Sequence, residues 1–204
     1  QEMIEDRAFG DLVGDPMNPR WDGSGWQFEL APEAKAVSSL RDYEGHVVGH
    51  GVVCFQNALG GRVAVYPYDG QARGAYNLGF PVQPIQSPSF LCWSRQAQLK
   101  AVLEWVGRQA LPLFVPGAPS VYPLLVAQEK RLVVGVANFS PDPVKSLEFR
   151  IRQPDFPIRR VQFLDADGTW RKCKGTIGKA QKGAVTIRTG LSLDYLDVAV
   201  LKVE

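Results

Sequence analysis

For most of its length the chain alternates short apolar runs with clusters of turn-forming residues. His46 to Gln56, HVVGHGVVCFQ, is rich in β-branched residues and predicts a strand. Asn57-Ala58-Leu59-Gly60-Gly61 predicts a turn, and Arg62 to Tyr66 predicts a returning strand. This second strand is apolar on both faces, the pattern of a central strand covered on both sides. Earlier, Gln27-Phe28-Glu29-Leu30 alternates like a short strand, and Pro32 through Ala36 predicts a short helix. Residues 69–88 are dense in Gly, Pro, Asn and Ser and read as a loop.

One longer helix is predicted over about 94–107. Ser94 suits its N-cap. Leu99, Val102, Leu103 and Val106 fall at i, i+3, i+4 and i+7, which puts them on one face. Gly107 and Pro112 end it.

From about Leu113 onward the pattern is that of strands. Val121 to Gln128 and Arg131 to Asn138 flank the turn Glu129-Lys130. Leu147, Phe149 and Ile151 alternate with Glu148, Arg150 and Arg152, a half-exposed strand. Val161 to Leu164 leads through the turn Asp165-Ala166-Asp167-Gly168 into Thr169 to Cys173, and Ala184 to Arg188 and Leu196 to Val203 complete the set. Seven short strands over about 88 residues predict an antiparallel sandwich. The expected fold class is mainly β (α+β). A small β-rich, α/β-like domain with one helix is expected over 1–116, followed by an antiparallel β-sandwich over 117–204.

Composition fits this picture. Of 204 residues, 45% are hydrophobic and 22% charged, ordinary values for a chain that buries a core. Twenty glycines and 15 prolines suit strands and turns better than long helices. Residues 117–204 carry 14 Lys or Arg against 9 Asp or Glu, a balance of +5. The preceding part carries 9 against 12, a balance of −3, which supports a boundary near Pro116. This asymmetry is too mild to indicate a nucleic-acid partner. The basic residues Arg159, Arg160, Arg171, Lys172, Lys174, Lys179 and Lys182 read as a solvated face, with Trp170 the one candidate there for stacking on a base, itself expected to pack. No apolar run approaches the roughly 20 residues of a membrane-spanning helix. Gln1 to Asp6 lacks the basic-then-apolar order of a signal peptide. No compartment is read from the sequence.

Candidate chemistry is sparse. His46, His50 and Cys54 recur every four residues, but on a strand four residues span about 13 Å. Three such ligands cannot converge on one ion, so no metal and no cofactor is expected. Cys54, Cys92 and Cys173 are too few and too far apart for a disulfide framework, and read as small buried side chains. Cys92, just before the helix, is the one position where a helix N-terminus would favour a thiolate. Asp11, Asp15, Asp22 and Asp69 lie in loops. They read first as turn residues, and second as carboxylates available to a glycosidase. Trp21 and Trp26 sit between glycines in a loop and are poorly explained as core. Tyr68 and Asp69 lie at the C-terminal end of the strand in GGRVAVYPYDG, where α/β folds place ligands. Trp21, Trp26, Tyr68 and Asp69 are therefore the candidate ligand-binding residues, because flat exposed rings cover the apolar faces of sugars.

The segment Gly60-Gly61-Arg62-Val63-Ala64-Val65-Tyr66-Pro67-Tyr68-Asp69, followed by Arg95 to Trp105, resembles the last strand and helix of a glutamine-amidotransferase-like domain. Leu124-Leu125-Val126, Leu132 to Asp142 and Val198 to Leu201 resemble a small C-terminal β-sandwich. The two together are similar to the non-catalytic C-terminal region of β-galactosidase-like glycoside hydrolases. There the amidotransferase-like domain serves oligomer assembly. Only about 44 residues precede His46, and they do not read as the βα units of a full amidotransferase-like domain. The chain is thus expected to be either the tail of a larger enzyme or a reduced relative, and no catalytic residue of the family maps onto it. The resemblance implies an accessory region of a carbohydrate-active protein, with a glycan or a neighbouring domain or subunit as partner. Two alternatives stay open: a glycan hydrolase using loop carboxylates, and a cell-surface protein-interaction module. The hydrolase requires two facing carboxyl groups in a cleft. The module requires a dominant apolar patch on the sandwich.

Overall fold

The computed structural model describes residues 2–10, 16–17, 26–67, 93–117 and 120–204. Of the positions discussed above, Asp11, Asp15, Trp21, Asp22, Tyr68, Asp69 and Cys92 and the whole 69–88 loop lie outside them. The chain divides into two compact units, Gln1–Arg108 and Gln109–Glu204. Every strand pairing described is antiparallel, and the fold is mainly β with a single α-helix among the described residues.

Unit 1 is built from two sheets and that helix. The first sheet contains β1 (Glu2–Ile4), β2 (Pro16–Met17), β4 (Ser38–Arg41) and β5 (Val47–His50), in the order β2-β1-β4-β5. The second contains β3 (Lys35–Ala36), β6 (Val53–Gln56) and β7 (Arg62–Val65), in the order β3-β6-β7. One hairpin links them. Lys35 faces Cys54 and Ala36 faces Val53 in the second sheet, and Ser39 faces His50 and Leu40 faces Gly49 in the first. The register is unbroken across the corner, where Val37 N–H donates to the Val52 carbonyl and Gly51 N–H to that of Ser38.

Four local expectations are corrected here. His46 to Gln56 forms two strands rather than one, because the chain changes sheets at Gly51-Val52. Lys35 and Ala36 are a strand, not the end of a helix; cross-strand pairing overrides a weak local helix preference. Residues 26–30 form no regular element. Arg62–Val65 is the edge strand of its sheet among the described residues, and β6 is central. The apolar character of both faces of β7 has a different origin, taken up below.

The helix α1 spans Trp93–Gly107, so Ser94 lies in its first turn rather than capping it. Its inward face also differs from the one the apolar spacing predicts. Leu103 is 54% exposed and Val106 is exposed, while Val102, at 3%, is buried. Buried with it are Arg95 and Gln98, which with the half-buried Trp105 form a 3-4-3 stripe. Val102, Ala101 and Trp105 pack on Phe9, Val37, Val52, Cys54, Ala64 and Tyr66. Phe9 meets Trp105 edge-on, with ring centroids 6.0 Å apart. At the C-terminal end of the helix, Arg62 donates to the Trp105 carbonyl at 2.8 Å and lies 5.0 Å from its ring. Arg108, in the left-handed region at φ 55, donates to the Gly60 carbonyl. Two cations thus engage the turn and the final carbonyls of the helix, where its dipole is negative.

The polar end of the helix stripe meets β1. Glu2 and Arg95 are both fully buried and form an ion pair. Gln98 donates to the Glu2 carboxylate at 3.0 Å and accepts from Arg95. Ser38 Oγ donates to it at 2.6 Å, and itself accepts from Val52 N–H at 2.7 Å. Arg95 also lies 5.9 Å from the Tyr66 ring. Gly51 is needed beside this network, because a Cβ there would stand 2.3 Å from Ser38 Oγ and 3.0 Å from Glu2 Oε1.

Unit 2 is an antiparallel sandwich. One sheet has the order β13-β12-β16-β10-β9, built from β9 (Val121–Gln128), β10 (Arg131–Asn138), β12 (Val161–Leu164), β13 (Trp170–Lys172) and β16 (Val198–Val203). The other has the order β14-β15-β11-β8, built from β8 (Leu113–Phe114), β11 (Glu148–Arg152), β14 (Thr176–Ile177) and β15 (Ala184–Arg188). Leu132, Val134, Val136, Leu201 and Val203 from the first meet Leu147, Phe149, Ile151, Val185 and Ile187 from the second in one core. Asn138, fully buried, donates to the carbonyls of Asp142, Leu193 and Asp194 and accepts from Ser140 N–H, which ties two loops to the end of β10. The short strand β14 has no hydrophobic pattern. It forms because Gly175 lets the chain close on β15, where a Cβ would lie 1.5 Å from the Arg188 carbonyl oxygen.

Three outcomes follow. Arg95→Met leaves the Glu2 carboxylate buried without its counter-charge. It should destabilise unit 1 by about 3–5 kcal/mol, read as lost hydrogen-exchange protection in peptides covering 2–9 and 93–107. Burial alone would raise the Glu2 pKa, but the Arg95 charge and the hydrogen bonds from Arg95, Gln98 and Ser38 outweigh it and hold the carboxyl below its ordinary value of 4.5. A depressed folded-state pKa gives stability that is present above pH 4.5 and lost as pH falls through the lower folded value. Unit 1 protection should therefore weaken in acid, and Glu2→Gln should flatten that dependence. In unit 2, Gly175→Ala should cost about 2 kcal/mol or more, a fall in Tm of roughly 8–16 °C by calorimetry.

Candidate functional site

The second sheet of unit 1 is covered on one face by α1 and crossed on the other by the segment 26–34. Alternation assigns the faces. Cys54 and Ala64 point to the helix and pack near Val102, while Val53, Phe55 and Val65 point the other way. At one end the crossing segment is pinned by Trp26 N–H, which donates to the Pro67 carbonyl at 2.8 Å just beyond β7. At the other end a turn closed by Ala34 N–H on the Ala31 carbonyl delivers the chain into β3. Gln27 adds a long contact to the Val48 carbonyl, and Phe28 lies 5.8 Å from the His50 ring. A strand between a helix and this segment needs apolar side chains on both faces even at an edge. This accounts for the pattern of Arg62 to Tyr66.

Between segment and sheet lies a groove of about 350 Å³. Trp26, Phe28, Leu30, Val53, Phe55, Val65 and Pro67 supply its apolar walls, together with Ala31 and Ala34. Trp26 is 79% exposed. Glu29 and Glu33 are the charged side chains of the lining, and both are exposed. An indole face beside apolar walls, with two carboxylates at hand, can stack on a flat apolar surface and accept hydrogen bonds from hydroxyl groups next to it.

Of the four candidate ligand-binding residues, the structure places Trp26 in this groove, and the other three lie outside the described residues. Phe28, Glu29, Phe55, Val65 and Pro67 were not singled out from the sequence. The available signal was the alternation of Gln27 to Leu30 beside a strand with two apolar faces.

Other chemistry resolves differently. His46, His50 and Cys54 do not converge: His50, on β5, pairs across to Ser39 on β4, and Cys54 is buried on β6. His46 instead joins Asp42 and Glu44 at the exposed hairpin tip, one ligand atom from each lying within 4.8 Å of the others. Asp42 Oδ1 is already committed to the backbone N–H groups of Glu44 and His46, both at 2.9 Å, an arrangement that shapes the turn. Burial, with a smaller contribution from the Asp6 charge, pushes the Cys54 thiol up to about 11, and burial raises Cys173 as well. Both therefore stay protonated at neutral pH and are poor nucleophiles. Trp170, considered above as a stacking residue, carries Lys202 Nζ at 4.8 Å from its ring.

No protein-family model matches the sequence, and no curated protein matches it. Among solved structures, the chain is similar to a cycloisomaltooligosaccharide glucanotransferase from Paenibacillus sp. complexed with cycloisomaltoheptaose. The identity is 12%, the TM-score 0.37, and the match covers 54% of this chain and 20% of that one. No helix among the described residues is long and apolar enough to cross a membrane.

Proposed function

We propose that this chain is a non-catalytic accessory region of a carbohydrate-active protein, and that the Trp26 groove is its point of glycan contact. The observation that carries this reading is the exposure of Trp26 over an apolar groove whose charged lining is acidic. Pyranose rings present an apolar face flanked by hydroxyl donors, which match an indole surface and carboxylate acceptors respectively. The resemblance of the sequence to the C-terminal region of β-galactosidase-like hydrolases is consistent with this assignment and adds a role in domain or subunit assembly.

A glycan hydrolase is the second reading, because Glu29 and Glu33 line the same concavity. Both are exposed, whereas a glycosidase acid is held in an apolar, water-poor setting. That difference favours binding over turnover.

The test is calorimetric titration of the full chain with a panel of oligosaccharides and soluble polysaccharides. Trp26→Ala should weaken the best ligand at least about tenfold, or about 1.4 kcal/mol. Failure to bind any glycan, or equal binding by Trp26→Ala, sinks the proposal. Release of reducing sugar that disappears in Glu29→Gln or Glu33→Gln would install the hydrolase reading instead.

A further inference from the structure

Strand β10 is apolar on both faces: its residues Leu132, Val134 and Val136 enter the sandwich core, while Val133 and Ala137 face away from it. A run of this kind belongs to a sheet covered on both sides. Here nothing among the described residues covers the outward face. On the neighbouring β9, Tyr122 is 58% exposed, Leu124 72% and Val126 56%. They lie directly opposite Ala137, Gly135 and Val133. On the other flank Val198 of β16, paired with Ala137, is 64% exposed. Phe139 continues the surface, packing edge-on to Tyr122 with ring centroids 5.1 Å apart.

Five large apolar side chains about half to three-quarters exposed, together with the smaller ones between them, present on the order of 500–700 Å² by their exposed fractions. That reaches the upper end of what monomers leave open, about 300–600 Å², and approaches the ~800 Å² per partner of a stable interface. We infer that this face is an isologous interface on which a second copy of the chain packs, sheet against sheet. Two features of the surface favour a copy over an unrelated partner. None of the residues just named carries a charge, and Lys202, the cation opposite Val133 on the same face, is mostly covered and lies over the Trp170 ring, so the face does not strongly repel itself, and an isologous contact requires that self-complementarity. It is also a sheet face, and two such faces pack at about 10 Å with their strands nearly aligned.

Association by the strand edge is disfavoured. Among the described residues β9 is the outer strand of its sheet. Phe139 N–H donates to the Ser120 carbonyl at 2.9 Å, and antiparallel alternation then turns the backbone groups of residues 121, 123, 125 and 127 to the open side. Pro123 has no N–H to offer there. The inference concerns unit 2 alone and does not depend on the groove of unit 1.

Sedimentation velocity of the full chain over a wide concentration range tests it. The wild type should sediment as a dimer, and Leu124→Lys should sediment as a monomer with unchanged circular dichroism and Tm. If Leu124→Lys fails to fold, Val198→Ser, a milder change on the same face, decides. A wild type that is monomeric at every concentration overturns the inference, as does a dimer that survives substitution in a folded variant.

Discussion

A carboxylate and a guanidinium, both shut away from water, hold unit 1 in place. Glu2 and Arg95 come from opposite ends of the unit's sequence, one on β1 and the other in the first turns of α1. Desolvating either alone costs several kcal/mol, so neither element is stable at its native depth without the other. Gln98 and Ser38 complete the shell around the carboxylate, and Ser38 passes the connection on to the hairpin through Val52. The apolar cluster beneath is modest, with Phe9, Val37, Val52, Cys54 and Val102 at its centre. Hydrophobic burial supplies attraction here, but it is non-directional. The polar network fixes which helix face turns inward, and so where the helix sits on the three-stranded sheet.

That placement reaches the groove. With α1 against the Cys54 and Ala64 side, Val53, Phe55 and Val65 must face away from the helix. The segment beginning at Trp26 covers them only in part. A loop held at its two ends by backbone hydrogen bonds, over an apolar floor, leaves a shaped hollow in place of a filled core. Under the proposed glycan contact, a ligand would meet an indole and a floor already held in place by the sheet.

Legibility in the sequence followed the kind of force that makes each element. Unit 2 was readable because its strands are made by alternation: Leu147, Phe149 and Ile151 turn inward and Arg150 turns out, as their spacing implies. Thr176–Ile177 was unreadable because it rests on a backbone approach at Gly175, and no side-chain pattern records that. The helix was legible, but its face was not. Apolar period pointed to Leu103, while the structure buries Arg95 and Gln98, which bond each other and both need Glu2, more than 90 positions away, to complete their polar contacts. Trp26 was visible as an aromatic without a core role. Its neighbours Phe55 and Val65 were not, since membership in the groove depends on sheet pairing and on which face the helix takes.

The hairpin that turns the corner between the sheets of unit 1 keeps a single register from Lys35 to Leu40. Side chains alternate strictly along such a pair, so displacing one arm by a residue would reverse inside and outside in both sheets together. Up to the register shift after Leu40, neither sheet can slip without the other. The two layers are in effect written on one ribbon, and a folding error in one is an error in both.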